Sequence, residues 1–161
     1  MNSLPHIILK PGRESSLQRF HPWIFSGAIK KEAGLQKGDI VEVYSSDNKY
    51  LCTGHYQPES IAVRIFSFRQ LVPDYAFWLQ KIQSAYALRL SIGLAENAHT
   101  NVYRLIHGEG DSLPGLIADY YNGTVVLQCH TVGMYRMKDI LCEAIREVLK
   151  DKVHAIYNDG F

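Results

Sequence analysis

Cysteine is scarce in this chain and badly placed for pairing. Its three residues, Cys52, Cys129 and Cys142, are odd in number and far apart. No Cys-x-x-Cys occurs, so neither a zinc knuckle nor a disulfide framework is indicated, and a reduced, cytosolic setting is the simplest reading. The seven histidines are scattered, with no His-x-His and no His-Glu-x-x-His, which leaves no metal-ligand pattern. There is no Gly-Lys-Ser/Thr of a P-loop and no nucleophile-elbow serine. No apolar run reaches membrane-spanning length. The opening Met-Asn-Ser-Leu-Pro-His lacks the basic start and apolar stretch of a signal peptide. The expectation is a soluble, cytoplasmic protein without a membrane partner. Net charge is nearly missing too, at +1 over 161 residues. No long-range field then drives association, and any nucleic-acid binding has to come from a local patch.

Such a patch is present. The chain is 47% apolar and 20% charged, enough for a packed core, and its cations are unevenly spread. Lys10, Arg13, Arg19, Lys30, Lys31 and Lys37 precede Asp39, against Glu14 and Glu32. Residues 10–29 combine turn formers, cations and the rings of His21, Trp23 and Phe25. Phosphates attract Arg and Lys, and bases stack on flat faces, so this mixture suits nucleic acid. The same residues also suit a surface turn leading into a buried aromatic anchor. Composition leaves both readings open.

The first half of the chain reads as short strands separated by turns. His6 to Lys10 is one, ended by Pro11-Gly12. Arg13 to Phe20 suits a short helix, which stops by Phe20 because Pro22 forces His21 out of helical backbone. Ile40 to Tyr44 alternates, with Val41 and Val43 on one face. Tyr50 to Tyr56 follows, with Gly54 as a bulge position, and then Ile61 to Phe66. This spacing predicts a small, partly closed β-barrel ending near Leu71.

The texture changes at Pro73-Asp74. Asp74 can cap a helix in which Leu79, Ile82, Tyr86 and Leu90 share one buried stripe, ending at Gly93. Residues 1–72 and 73–161 are therefore expected to be separate domains, with Trp78 packed between them. Val102 to Ile106, Leu116 to Tyr121 and Thr124 to His130 read as strands. Asn122-Gly123 accepts positive φ at both central turn positions and so marks a hairpin. Met137, Leu141, Ala144 and Val148 repeat at helical spacing, and Val153 to Tyr157 is a last strand. If that strand leaves an unpaired sheet edge, it offers a route to a homodimer.

Gly108-Glu-Gly-Asp-Ser-Leu-Pro-Gly115 invites a phosphate-loop reading, but the third glycine position of a dinucleotide fingerprint is Leu113. Pro114 then leads into a strand, where that fingerprint needs a helix N-terminus. A structured turn fits better, with Glu109 and Asp111 capping backbone or pairing with Arg104.

Gly12 to Leu17, together with His21-Pro22-Trp23-Ile24-Phe25-Ser26-Gly27-Ala28-Ile29, resembles the opening of the bacterial class I SAM-dependent ribosomal RNA large-subunit methyltransferases of the 5-methylcytosine type. Tyr103 to Ile106 with Gly108 to Leu116 resembles a second stretch of the same family, in the same order and separation. The resemblance implies an α+β chain: a small β-barrel-like PUA domain over residues 1–72, then a central α+β domain over 73–161. It implies that the Rossmann-like methyltransferase domain is absent, so that the chain recognises ribosomal RNA without catalysing methylation. No cofactor is then expected in this chain, S-adenosylmethionine being implied for the full-length family. The expected partners are ribosomal RNA and the missing C-terminal methyltransferase domain. The expected RNA-binding residues are Lys10, Arg13 and Arg19 on phosphates, His21 and Ser26 as polar contacts, and Gly12 and Gly27 for close backbone approach. The residues leave Trp23 open between a core anchor and a ring that stacks on a base, with the core favoured because the Ile-Phe that follows it is apolar. The alternative is a protein-docking scaffold with no RNA affinity of its own.

Overall fold

The computed structural model describes residues 4–32 and 34–159. Residues 1–3, Ala33 and the closing Gly160-Phe161 lie outside the described residues. The chain divides into two compact units, Met1–Val72 and Pro73–Phe161.

The first unit is a six-stranded sheet of β1 (His6–Leu9), β2 (Trp23–Phe25), β3 (Ile29–Lys31), β4 (Ile40–Tyr44), β5 (Tyr50–Tyr56) and β6 (Ile61–Ser67). The spatial order is β2-β6-β5-β4-β1-β3. The β1–β4 pair is parallel and the others are antiparallel. In β4 the alternation works as pattern predicts: Val41 and Val43 are fully buried, and Ile40, Glu42 and Tyr44 are partly exposed. Ile7, Leu9, Leu17, Ile24 and Val63 join these two valines in one core. Each such side chain contributes about 1.5–3 kcal/mol by leaving water.

Strands β2 and β3 are three residues each, too short to show a period in sequence. They are the two outer strands of the sheet, yet a single 3-10 turn, Ser26–Ala28, joins them. Edges joined by so short a link must lie close together, so the sheet is curled rather than flat. Strands β5 and β6 approach closely at Gly54. A Cβ there would sit 2.4 Å from the Arg64 carbonyl oxygen and 2.8 Å from Val63 Cγ1. The helix expected over Arg13 to Phe20 is a 3-10 helix, Glu14–Arg19, closed by Phe20 in the left-handed region at φ 57°.

The second unit is a four-stranded sheet with helices. Helix α1 (Tyr75–Ser91) is followed by β7 (Val102–His107), β8 (Leu116–Tyr121) and β9 (Thr124–Cys129). Then come α2 (Val132–Arg136), α3 (Lys138–Leu149) and β10 (Ala155–Asn158). The order is β10-β9-β8-β7. Strand β10 runs parallel to β9, which requires the crossover that α2 and α3 provide. Asn122 and Gly123 turn the β8–β9 hairpin at φ 44° and 91°. Asp74 caps α1, its Oδ1 accepting from the Phe77 N–H at 2.9 Å. Leu116, Ala118, Val125, Leu127 and Cys129 are buried, and the residues between them are partly exposed, so one face of β8 and β9 carries the core.

The buried stripe of α1 differs from the expected one. It consists of Trp78, Ile82, Ala85, Tyr86 and Arg89, while Leu79 is only partly buried and Leu90 is exposed. The face turned inward is one residue round from the Leu79–Leu90 row. A buried Arg89 hid it from any purely apolar count.

Candidate nucleic-acid interface

The 3-10 helix sets the cations of residues 10–29 in order. With three residues per turn, side chains three apart eclipse one another. Ser16 and Arg19 therefore form one row, continued backwards by the N-cap Arg13 in helical backbone, and Glu14 and Leu17 form another, while Phe20 leaves the helix in the left-handed region and is 71% exposed. Leu17 is buried, which turns the arginine row outward. Arg13 and Arg19 are exposed, and neither is held by an ion pair to another described residue.

The other expected residues take more varied places. Lys10 is exposed, but its Nζ donates to the Gly27 carbonyl at 2.8 Å, and its N–H donates to the Ala28 carbonyl at 2.8 Å. It ties the β1 end to the Ser26–Ala28 turn and still keeps donors to spare. Lys37 is drawn away by Glu59 at 3.2 Å. Gly12 stands at φ +76°, so glycine is needed there for backbone conformation rather than for room; a Cβ would meet nothing within 4 Å. Gly27 also has open space around its Cβ position. Ser26 is exposed, and its N–H donates to the Ser60 carbonyl at 2.9 Å. His21 Nδ1 lies 3.3 Å from the Trp23 N–H and 3.2 Å from the Trp23 carbonyl. It accepts from the first or, when it carries the hydrogen, donates to the second.

Trp23 is not the core anchor that residues 10–29 led us to expect. Successive residues of a strand face opposite ways. Ile24 takes the inward position, which sends Trp23 and Phe25 to the other face. Phe25 is 50% exposed and Trp23 is partly buried. Their ring centroids are 6.4 Å apart and the planes nearly perpendicular, and His21 adds a third ring 5.9 Å from Trp23. Trp23 and Phe25 border a groove of about 340 Å³, whose lining also includes Arg13, Ser15 and Ser16. Among the described residues, no acidic side chain lines it.

In the second unit, the turn Gly108–Asp111 is a 3-10 helix. Asp111 pairs with Arg89, and Arg104 pairs instead with Asp119, its Nε donating to Oδ1 at 2.8 Å. The stretch is a structural clasp. Burial pushes the Cys129 thiol up to about 11, and burial likewise raises Cys142, so neither is a ready thiolate nucleophile. Among the described residues, no group of three or more His, Cys, Asp and Glu could hold a metal ion, and no helix is long and apolar enough to cross a membrane.

Residues 7–68 match the PUA-like domain family.

Over 143 residues, 88% of its length, the chain is 41% identical to ribosomal RNA large subunit methyltransferase I of Vibrio cholerae serotype O1. It is 39% identical over 143 residues to the protein of the same name from Yersinia pseudotuberculosis serotype O:1b. The chain spans 36% of each of these relatives. Among solved structures it superposes on a protein described as a SAM-dependent methyltransferase from Streptococcus mutans. The TM-score is 0.82 at 20% identity, covering 96% of this chain and 41% of that one. A second, described as a methyltransferase complexed with SAH, gives a TM-score of 0.81 at 21% identity, covering 96% and 40%.

These likenesses correct one expectation, that of an α+β chain standing apart from a methyltransferase fold that is absent. Instead, 96% of the chain lies within the fold of a SAM-dependent methyltransferase, because both sheets and their helices are part of that protein's own architecture. The expectation of no cofactor in this chain is withdrawn with it, since a protein on part of which 96% of the chain superposes is described as complexed with SAH.

Proposed function

We propose that the first unit binds structured RNA, in a protein that uses S-adenosylmethionine to methylate C5 of a cytosine in large-subunit ribosomal RNA. The observation that carries this reading is the outward row of Arg13 and Arg19 beside a ring-lined groove without acids, within a PUA-like match. Lys10, Arg13 and Arg19 face phosphates. His21 and Ser26 make polar contacts, and Gly12 and Gly27 let the RNA backbone approach. The segment 1–72 is the RNA-binding domain, and 73–161 is the central α+β domain. The names of the curated relatives support the ribosomal substrate, and those of the solved ones support the cofactor.

The test is fluorescence anisotropy with labelled hairpins of large-subunit ribosomal RNA at two salt concentrations. Each phosphate-binding cation removed should flatten the salt dependence by about one unit of slope. Arg13→Ala with Arg19→Ala should therefore lower both affinity and slope, by about two units for the pair. Unchanged affinity and slope would reject the arginine row.

A docking scaffold is the second reading, favoured by exposed Leu88, Leu90, Ile92 and Leu94 at the end of α1. It requires RNA affinity no greater than that of an unrelated protein of similar charge.

A further inference from the structure

We propose that the groove between Arg13 and strand β2 receives a single unpaired nucleobase of the bound RNA. The inference rests on the RNA-binding reading and names the ligand that this part of the site selects.

Four observations point the same way. First, Phe25 is half exposed and Trp23 partly so, on a strand whose Ile24 takes the buried side. Two adjacent outward rings on a three-residue strand add little to the core of the first unit. A base laid on such a ring recovers that surface. Second, the two ring planes stand at 89° with centroids 6.4 Å apart. This forms a corner rather than a slot. One base stacks on one ring and meets the other edge-on, whereas two parallel faces would be needed to sandwich it. Third, the groove is about 340 Å³. That is the low end of small-ligand pockets, which suits one nucleotide and excludes a duplex. Fourth, the lining is chemically matched. Arg13 is the charged side chain in it, and Ser15 and Ser16 supply hydroxyls. A base in the corner puts its flanking phosphate towards the guanidinium and its ribose or base edge towards the hydroxyls.

An apolar protein side chain would need the rings but not the arginine, and a lone anion would need the arginine but not the rings. Only a nucleotide uses both. Bases inside an RNA duplex are stacked and cannot enter, so the occupant comes from a bulge, loop or end.

The test uses three RNA hairpins of equal stem: fully paired, with one bulged nucleotide, and with the same bulge made abasic. Binding to the full chain is measured by anisotropy. The wild type should prefer the bulged hairpin over the abasic one. Trp23→Ala and Phe25→Ala should each weaken the bulged hairpin about 5- to 150-fold, the range expected for one lost base–ring stack. They should leave the fully paired hairpin and the salt slope unchanged. Trp23→Phe, which keeps a ring, should restore most of the loss. Should Trp23→Ala fail to fold, Phe25→Ala carries the test, because its ring is half in solvent already.

The idea is overturned if the wild type binds bulged and abasic hairpins equally, or if the variants weaken all three hairpins alike. In both cases salt-dependent binding would leave the RNA reading standing. If no hairpin binds the wild type at all, the RNA reading itself fails and takes the base site with it.

Discussion

Arg89 of α1 reaches Asp111 of the Gly108–Asp111 turn in a bidentate ion pair, Nη2 donating to Oδ2 at 2.8 Å. The side chains are 7% and 3% exposed. The surrounding bonds leave little unsatisfied. Arg89 Nε donates to the Arg104 carbonyl at 2.8 Å, and the His107 N–H donates to Asp111 Oδ2 at 2.6 Å. The guanidinium thus ties the helix, strand β7 and the turn together. This is what the Gly-Glu-Gly-Asp run does in this structure.

Removing one partner of this pair should be far worse than removing an exposed one. Asp111→Ala leaves Arg89 buried and unpaired, and a loss of about 3–5 kcal/mol is expected, measured by urea unfolding. Asp119→Ala, which breaks the more exposed pair with Arg104, should cost about 1 kcal/mol or less. Similar losses for the two variants would show that the buried pair is not a fastening.

Gly54 and Gly27 should respond differently to alanine. At Gly54 the added methyl meets backbone at 2.4 Å, so β5 and β6 must part, and a loss of about 1–3 kcal/mol is expected. At Gly27 it meets nothing, and the melting temperature should hardly move. Thermal unfolding followed by circular dichroism separates the two. A Gly54→Ala variant as stable as the wild type would contradict the close approach of β5 to Arg64.

Two partly buried phenols make stability fall on the alkaline side. Burial pushes Tyr50 and Tyr103 up to about 12 from an ordinary 10. The folded protein therefore favours the neutral phenol. That contribution is complete below pH 10 and is lost as pH rises through about 12. The urea midpoint should decline across that interval, with phenolate absorbance rising late. Tyr103→Phe, which also sits beside Tyr120 at 4.9 Å, should blunt the decline. A midpoint unaffected by that substitution would assign the loss to other groups.

Much of the local structure could be read from the residues themselves. The Asp74 cap, the Asn122-Gly123 turn and the Val41/Val43 face follow from rules that act over a few neighbours. The candidate site was only half legible. Its cations and rings were visible as a cluster, but which rings face out depended on whether Trp23 lay in a strand, and three residues show no period. Strand β2 exists because β6 pairs with it, with Ile24 opposite Val63. Arg89 was missed for a related reason. Its burial depends on Asp111, whose place no helical pattern reveals. The role of Lys10 was likewise set at a distance, by the Gly27 carbonyl.

The pairing of Trp23 with Arg64 also governs when the groove can exist. Strand β2 is synthesised long before β6, and among the described residues it has no other partner in the sheet. Until β6 emerges and closes that long loop, the rings have no fixed corner between them. A nascent or partly unfolded first unit would carry the same residues 10–29 and the same charge, yet present no base receptor. Selective capture of an unpaired base is therefore also a readout of completed folding, and phosphate attraction alone is not.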